Sequence, residues 1–231
     1  MDQLPAGSPA APIWLRPERA RAGRPARRSR SEIAAAAIAV ADAEGLESVS
    51  MRRVAARLGT GAASLYRYVD TREDLLDLMT DAVGAEYDLA APAGDWLSGL
   101  VAVGVQARAI MLSHPWLPGL LLIRAPLGPH GLALLDHVLT ALADHPAGPT
   151  AKLEAFGLLT AMTAVFVQAE IAGDAGVRQS NAAFLRYAVA SGDYPQLSRS
   201  LAPADPVPAD PGARFPQLLG RVLTGLLGPA S

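Results

Sequence analysis

The chain has 231 residues, of which 51% are hydrophobic and 5% aromatic, and it contains no cysteine. Disulfide bonds, thiolate metal sites and cysteine nucleophiles are therefore excluded. Strong helix formers, above all Ala and Leu, dominate the apolar residues, so we expect an all-α fold. We find neither a secretory signal nor an uncharged stretch of about 20 apolar residues, and we expect a cytoplasmic protein without a membrane span.

Charge is divided unevenly along the chain. The net charge is −2, but residues 1–72 hold 12 Arg and 7 acidic residues, whereas the remainder holds 8 basic and 15 acidic residues. This asymmetry favours a polyanion as the partner of the N-terminal part. Residues 1–29 are rich in Pro, Ala, Gly and Arg without a helical period, so we interpret them as a basic, disordered arm, or else as a tail without a role. The arginines expected to reach phosphates or a minor groove are Arg24, Arg27, Arg28 and Arg30.

Four helices are predicted after this arm. The predicted bounds are 31–44, 51–58, 62–68 and 72–89. Gly45 and Gly59 follow the first two helices, as expected for C-terminal glycines in a left-handed conformation. Ser50 and Thr71 precede the second and fourth helices, where their side chains can accept from free backbone amides.

The helices beyond residue 95 are longer and more apolar. Their predicted bounds are 95–113, 117–124, 130–143, 150–172, 178–191 and 214–227, and residues 203–213 form a Pro-rich loop. The helix 150–172 is apolar nearly all round, so we expect it to be buried on every side. The last helix combines apolar residues with the small residues Gly220 and Gly225. We interpret this helix and helix 150–172 as faces of an intersubunit four-helix bundle. The alternative is core packing within one subunit.

The tight joint between the second and third helices carries a functional signal. Gly residues allow two short helices to meet at a wide angle. The third helix then projects Ser64, Tyr66, Arg67 and Tyr68 where a buried helix would carry leucines. A DNA major groove admits one helix, and its N-terminal residues reach the base edges. Arg52 and Arg72, on the flanking helices, are placed for phosphates.

The stretch RSEIAAAAIAVADAEGLESVSMRRVAARLGTGAASLYRYVDTREDLLDLM resembles the N-terminal domain of TetR-family transcriptional repressors. The resemblance implies a helix-turn-helix DNA-binding domain over 30–77 and a helical effector-binding and dimerisation domain over 78–231. It also implies phosphate- or base-contacting residues, which are Ser50, Arg52, Ser64, Tyr66, Tyr68 and Arg72, and the base-facing residues Ala62 and Ala63.

Two positions depart from the family pattern. Tyr68 stands where the family usually has His, and Thr60 with Gly61 stands where Val or Ile often follows the turn glycine. We expect Thr60 to be among the DNA-binding residues, and we expect these changes to alter the preferred operator sequence more than the docking.

Polar residues inside the apolar C-terminal helices are the candidates for an effector site, since apolar cavities with a few polar groups suit small molecules. These candidates are Gln106, His114, Trp116, Thr160, Thr163 and Gln168, and the alternative for each is a satisfied core residue. The stretch REDLLDLMTDAV resembles the tetracycline-repressor branch. The drug-chelating histidines of that branch are missing, because Tyr87 and Asp88 occupy the first place and 117–124 contains no His. We therefore do not expect tetracycline as the inducer.

We find no sequence signature of catalysis. HExxH, GxSxG and P-loop patterns are absent, and the chain's histidines form no dyad with neighbouring acids. We expect no enzymatic activity, no cofactor and no bound metal. The sequence favours a ligand-responsive transcriptional repressor that binds a near-palindromic double-stranded DNA operator as a homodimer and is released by a small apolar effector. The alternatives are a sequence-indifferent architectural DNA-binding protein and a purely structural helical dimer.

Overall fold

Helices alone make up the regular structure of the described residues, which confirms the predicted all-α class. The computed structural model describes residues 11–18, 28–90, 94–124, 127–173, 175–201 and 211–228. The N-terminal helices are α1 (Arg30–Glu44), α2 (Met51–Arg57), α3 (Ala62–Leu65) and α4 (Arg72–Gly84). The C-terminal helices are α5 (Trp96–Ser113), α6 (Leu117–Ile123), α7 (Pro129–Ala141), α8 (Pro149–Ile171), α9 (Ala175–Ser191), α10 (Pro195–Ser200) and α11 (Pro211–Leu227).

The ends of the N-terminal helices follow the local sequence. The Ser50 and Thr71 side chains each accept from the backbone amide three residues on, which confirms both predicted caps. Gly45 and Gly59 adopt φ values of +84° and +64°, a region that only glycine enters at low cost. These caps and turns fix the angles between α1, α2 and α3.

Two predicted helices end earlier than expected. α3 closes at Leu65, although the Val69 amide still donates to the Leu65 carbonyl at 3.1 Å and continues the turn. α4 ends at Gly84 rather than Leu89. Beyond it, the Asp88 backbone pairs with the Gln106 side chain instead of continuing the helix.

The prediction of a disordered arm is wrong for residues 11–18. Ile13–Leu15 form a 3₁₀ turn, and Ile13, only 1% exposed, belongs to the core of the N-terminal helices. The burial of Ala11 and Ile13 explains this, because it offsets the entropy lost on ordering the segment. The predicted contacts of Arg24 and Arg27 lie outside the described residues, as do residues 1–10 and 19–27.

The C-terminal helices enclose a second apolar core. α5, α8 and α11 pack against one another, and α7 closes the cluster around Leu142, Phe215 and Leu219. α8 is not buried on every side within one chain, because Leu158 and Val165 remain exposed. α5 and α8 are apolar and long enough to span a membrane by length and composition, but both are packed within this helical core. We interpret them as core helices.

Candidate DNA-binding surface and effector cavity

The turn between α2 and α3 is fixed by its own hydroxyl groups. The Thr60 amide donates to the Ala55 carbonyl at 3.0 Å, and the Thr60 and Ser64 hydroxyls lie 2.8 Å apart. The Ser64 hydroxyl also donates to the Gly61 carbonyl at 2.7 Å. Thr60 and Ser64, which are both predicted DNA contacts, are half-buried. Their hydroxyl groups stabilise the start of α3.

The outward face of the recognition segment, which we define as α3 and the following turn (62–69), is formed by few residues. Leu65 and Val69 are fully buried and anchor the segment in the apolar core, and α3 packs against α2. Ala63, Tyr66 and Arg67 are exposed, with Tyr66 at 53%. A phenol and a guanidinium thus project from one short helical surface, as expected from the sequence.

Two predicted DNA contacts point inward. Tyr68 is only 7% exposed and belongs to the apolar core that includes residues of α1 and α4. The Arg30 guanidinium donates through Nε to the Tyr68 carbonyl at 3.0 Å and through Nη1 to the carbonyls of Ile13 (2.8 Å) and Arg16 (2.9 Å). These bonds give Arg30 an internal role rather than the predicted phosphate contact.

The remaining predicted contacts surround the recognition segment. Arg52 is exposed in the first turn of α2, and Arg72 is exposed at the first position of α4. Arg28 donates to the Leu58 carbonyl at 2.6 Å, beside the turn, and Ser50 uses its hydroxyl as the α2 cap. Ala62 is half-buried against the core. The surface is therefore positive at its edges, with short side chains at the start of α3.

A cavity of about 90 Å³ lies between α4, α6, α7 and α8. Its apolar walls include Val83, Leu117, Leu121, Leu134 and Phe156. Its polar lining consists of Thr80, Asp81, Tyr87 and Thr160. An apolar cavity with few polar groups has the composition of a small-molecule site.

The polar groups of the cavity are held by the fold. The buried Asp81 carboxylate accepts from the backbone amides of His130 (2.9 Å) and Gly131 (3.1 Å), and its second oxygen lies 2.9 Å from His130 Nδ1. This residue of α4 thereby caps the start of α7. Burial raises the pKa of Tyr87, so its phenol is neutral and can serve as a donor to a bound molecule.

The structure does not bring the six predicted effector contacts together. Thr160 lines the cavity, whereas Gln106 holds the Asp88 backbone and Thr163 is buried and donates to the Leu159 carbonyl at 2.7 Å. Gln168 lies on the exposed face of α8. A polar residue in an apolar helix can thus line a cavity, bind a neighbouring backbone segment, bond within its own helix or face the solvent. Only the tertiary packing distinguishes these roles.

The two remaining candidates, His114 and Trp116, join the two domains. His114 Nδ1 lies 2.8 Å from Asp42 Oδ1 on α1, and its Nε2 lies 3.0 Å from Glu86 Oε1 just beyond α4. Trp116 Nε1 donates to the same Asp42 oxygen at 2.7 Å. Burial acts to lower the pKa of His114, but bonds to the two carboxylates outweigh it and raise the pKa.

Sequence reasoning missed the acidic residues in and just after α4. Four of them bind different parts of the molecule. The pairs are Asp74 with Arg16, Asp77 with Arg124 at the end of α6 (2.6 Å), Asp81 with His130 on α7 (2.9 Å) and Glu86 with His114 at the α5–α6 corner (3.0 Å). The signal in the sequence was the helical spacing of acids at positions 74, 77 and 81. In the described part of the chain, no cluster of three or more His, Asp and Glu is arranged to hold a metal ion.

Two family models match the chain. The family described as "Bacterial regulatory proteins, tetR family" matches residues 33–79, which include the helix-turn-helix. The family described as "Tetracyclin repressor-like, C-terminal domain" matches residues 90–228, which include α5 to α11. Together they account for most of the described structure.

Individual proteins show the same likeness. The chain is 35% identical over 204 residues to an HTH-type transcriptional regulator of Saccharopolyspora erythraea, covering 86% of this chain and 84% of that protein. It is 46% identical over 117 residues to the repressor DrrR1 of Streptomyces coeruleorubidus, covering 50% of this chain and 43% of DrrR1. Apo ActR of Streptomyces coelicolor has a TM-score of 0.74 at 29% identity, covering 90% of this chain and 98% of ActR. ActR in complex with actinorhodin has a TM-score of 0.73 at 28% identity, covering 87% of this chain and 97% of that one.

Proposed function

The chain belongs to the TetR family of bacterial transcriptional regulators, and from this membership we propose that it is a homodimeric repressor released from its operator by a small apolar effector. The family is a class of DNA-binding regulators rather than of enzymes, in agreement with the sequence prediction. Its place of action is then the cytoplasm, where the DNA lies.

The observation that carries the proposal is the exposed face of the recognition segment. Tyr66 and Arg67 project from it, and Arg52 and Arg72 flank it on α2 and α4. Side chains from one short helix can reach base edges in a major groove while flanking arginines neutralise phosphates. The buried Leu65 anchors this segment in the core.

A two-fold dimer is supported by the outer faces of α8 and α11. Leu158 and Val165 on α8 and Val222 on α11 are 46%, 55% and 42% exposed, and Gly225 leaves room for close helix approach. Burying this surface against a second copy removes apolar area from water. A dimer would present two recognition segments to successive major grooves, about 34 Å apart.

Effector control is supported by the cavity and its attachment to α4. Small-molecule pockets typically occupy about 300–1,000 Å³, so binding must push the walls of this 90 Å³ cavity apart. Those walls belong to α4 and to α6, α7 and α8. The Asp77–Arg124 ion pair ties α4 to α6, and the hydrogen bonds of Asp81 to His130 and Gly131 tie it to α7. Because α4 also begins beside the recognition segment, displacement of its C-terminal half changes how the two segments of a dimer are spaced.

The effector can change DNA binding only if its affinity differs between two forms of the dimer, one with the recognition segments spaced to fit DNA and one with another spacing. Since ActR is bound to actinorhodin in its complex, we take actinorhodin as the first compound to test. We expect actinorhodin to bind the cavity and to weaken DNA binding. Bound DNA should weaken actinorhodin binding by the same factor.

The experiment is footprinting on DNA around the regulator's own gene, followed by titration with competitor DNA. We expect a protected near-palindrome that is bound about 10³-fold or more tightly than random DNA. Equal affinity for all sequences would contradict the operator-specific repressor.

Equal affinity would instead favour the second candidate, a sequence-indifferent architectural protein. One observation favours this candidate. Ala62 and Ala63 offer no side-chain hydrogen bonds, and the Ser64 hydroxyl is already bonded to the turn. Base reading by hydrogen bonds then depends largely on Tyr66 and Arg67.

A further inference from the structure

The N-terminal segment (residues 11–18) packs at the boundary between the helix-turn-helix unit and the effector-binding helices. Ala11 and Ile13 are buried, and Ile13 belongs to the same core as α1 and α4. Leu15, in the same 3₁₀ turn, is 54% exposed. The buried and the exposed side chains of this segment therefore have different surroundings and can be tested separately.

One end of the segment is bonded to the recognition segment and to the helices beside it. The Arg16 guanidinium pairs with Asp70 at 2.6 Å and with Asp74 in the first turn of α4. Asp70 directly follows the recognition segment. The Arg30 guanidinium connects the carbonyls of Ile13 and Arg16 to that of Tyr68. Any shift of Arg16 is thus transmitted to the end of the recognition segment.

The α1 helix is tied to the same junction. The Glu18 carboxylate accepts from the Arg30 backbone amide at 2.6 Å, at the first position of α1. A carboxylate at a helix N-terminus is favoured by the helix dipole. The segment therefore also fixes the start of α1.

The other contact of the segment is with the start of α7. A Cβ atom placed on Gly128, the residue that precedes α7, would overlap the Asp81 carboxylate and lie 2.6 Å from the Trp14 ring. Trp14 is therefore packed directly on the backbone at Gly128. The neighbouring residues Leu127 and Gly131 line the cavity.

The two contacts lie close together along the chain. Trp14 and Arg16 are two residues apart, and two residues of fully extended chain span at most about 7 Å. If α7 moves and Trp14 moves with it, Arg16 must follow or one of the contacts must break. This connection runs beside the one through α4 and meets it at Asp74.

We propose that Trp14 and Arg16 are positioning residues that couple the start of α7, at the effector cavity, to the end of the recognition segment. The inference rests on the proposed function only for its biological purpose. The mechanical coupling itself is a property of the free protein and can be measured without DNA or effector.

The test is hydrogen–deuterium exchange of the full-length wild type and of four variants. Trp14→Phe and Trp14→Ala alter the contact with α7, Arg16→Gln alters the contacts with Asp70 and Asp74, and Leu15→Ala is the matched control on the exposed side of the same turn. The amides compared are those of residues 66–70, those of residues 130–133 and, as an internal reference, those of residues 217–224 in α11.

We expect each substitution to act at the distant contact. Trp14→Ala should accelerate exchange in residues 66–70 and Arg16→Gln should accelerate it in residues 130–133, each by at least about fivefold, the lower range of coupling between linked sites. Trp14→Phe should have a smaller effect, and Leu15→Ala should have none. Exchange in α11 should remain unchanged.

Two results would overturn the proposal. The first is acceleration confined to the contact that each substitution touches, which would show a local packing role. The second is equal acceleration in all three regions including α11, which would show a loss of global stability only. Because neither result involves DNA, failure of the coupling is distinguishable from failure of the proposed repressor function.

Discussion

His114 Nδ1 lies 2.8 Å from Asp42 Oδ1, and this contact joins the α5–α6 corner of the C-terminal helices to α1 of the helix-turn-helix unit. The second ring nitrogen lies 3.0 Å from Glu86 Oε1. A ring with a carboxylate at each nitrogen can donate to both only as an imidazolium, and, against the opposing effect of burial, the two carboxylates raise its pKa. The contact between the domains is therefore sensitive to proton concentration.

We predict that the stability contributed by His114 decreases as the pH rises. Its pKa is raised in the folded protein above the value of about 6.5 in an unfolded chain. The contribution is thus complete below pH about 6.5 and is lost as the pH passes through the raised pKa. Urea unfolding of the wild type and His114→Gln should show a free-energy difference that is largest near pH 6 and shrinks toward about pH 9.

His137 provides the matched control for this titration. It lies on α7 and takes part in no ion pair within the described residues. His137→Gln should leave the pH dependence of unfolding close to that of the wild type. A His114→Gln difference that stays constant over the same pH range would contradict an imidazolium at this position.

We predict that Arg67→Ala weakens operator binding by about 1–3 kcal/mol if the arginine reads a base, or reduces the salt slope of binding by about 1 if it contacts a phosphate. Arg67 is exposed on the recognition segment, so its removal should not affect folding. Arg199→Ala on α10 is the control, because that arginine is also exposed. Fluorescence anisotropy with labelled operator at several salt concentrations measures both quantities, and an unchanged affinity with an unchanged slope would refute the assignment.

The sequence predicted the helix-turn-helix because local rules determine it. Ser50, Thr71, Gly45 and Gly59 act at the positions where propensity places them. The effector contacts could not be predicted in the same way. His114 satisfies carboxylates that are 72 and 28 residues away, and no spacing within a helix indicates such a partner.

The N-terminal segment was misread for a related reason. Its composition is that of a disordered arm, and four apolar residues among arginines have no periodicity to reveal a partner. Burial of Ile13 against α1 and α4 is a tertiary effect. A single chain likewise leaves the outer face of α8 uncovered, and the sequence had indicated only that this helix needs burial.

We predict that Gly128→Ala destabilises the protein by about 1–3 kcal/mol, the usual cost of overpacking. The added methyl group would overlap the Asp81 carboxylate and approach the Trp14 ring. Gly148 is the matched control, because it also precedes a proline at a helix start but has no neighbouring atom within 4 Å of the place that a Cβ would occupy. Gly148→Ala should change the free energy of unfolding by less than about 0.5 kcal/mol. Equal effects of the two substitutions in urea unfolding would contradict the close packing at Gly128.

We predict that Val165→Glu converts the dimer into a monomer and abolishes operator binding. Val165 lies in the middle of the exposed face of α8, and an unpaired carboxylate buried there would lose its hydration without compensation. Leu132→Glu on α7 is the control, since Leu132 is also exposed but lies on another helix. Sedimentation equilibrium gives the mass of each variant, and circular dichroism verifies that both remain folded. A Val165→Glu protein that sediments as a dimer at the wild-type concentration would show that α8 is not the intersubunit surface. A folded monomer that fails to protect the operator would show that DNA recognition requires two paired recognition segments.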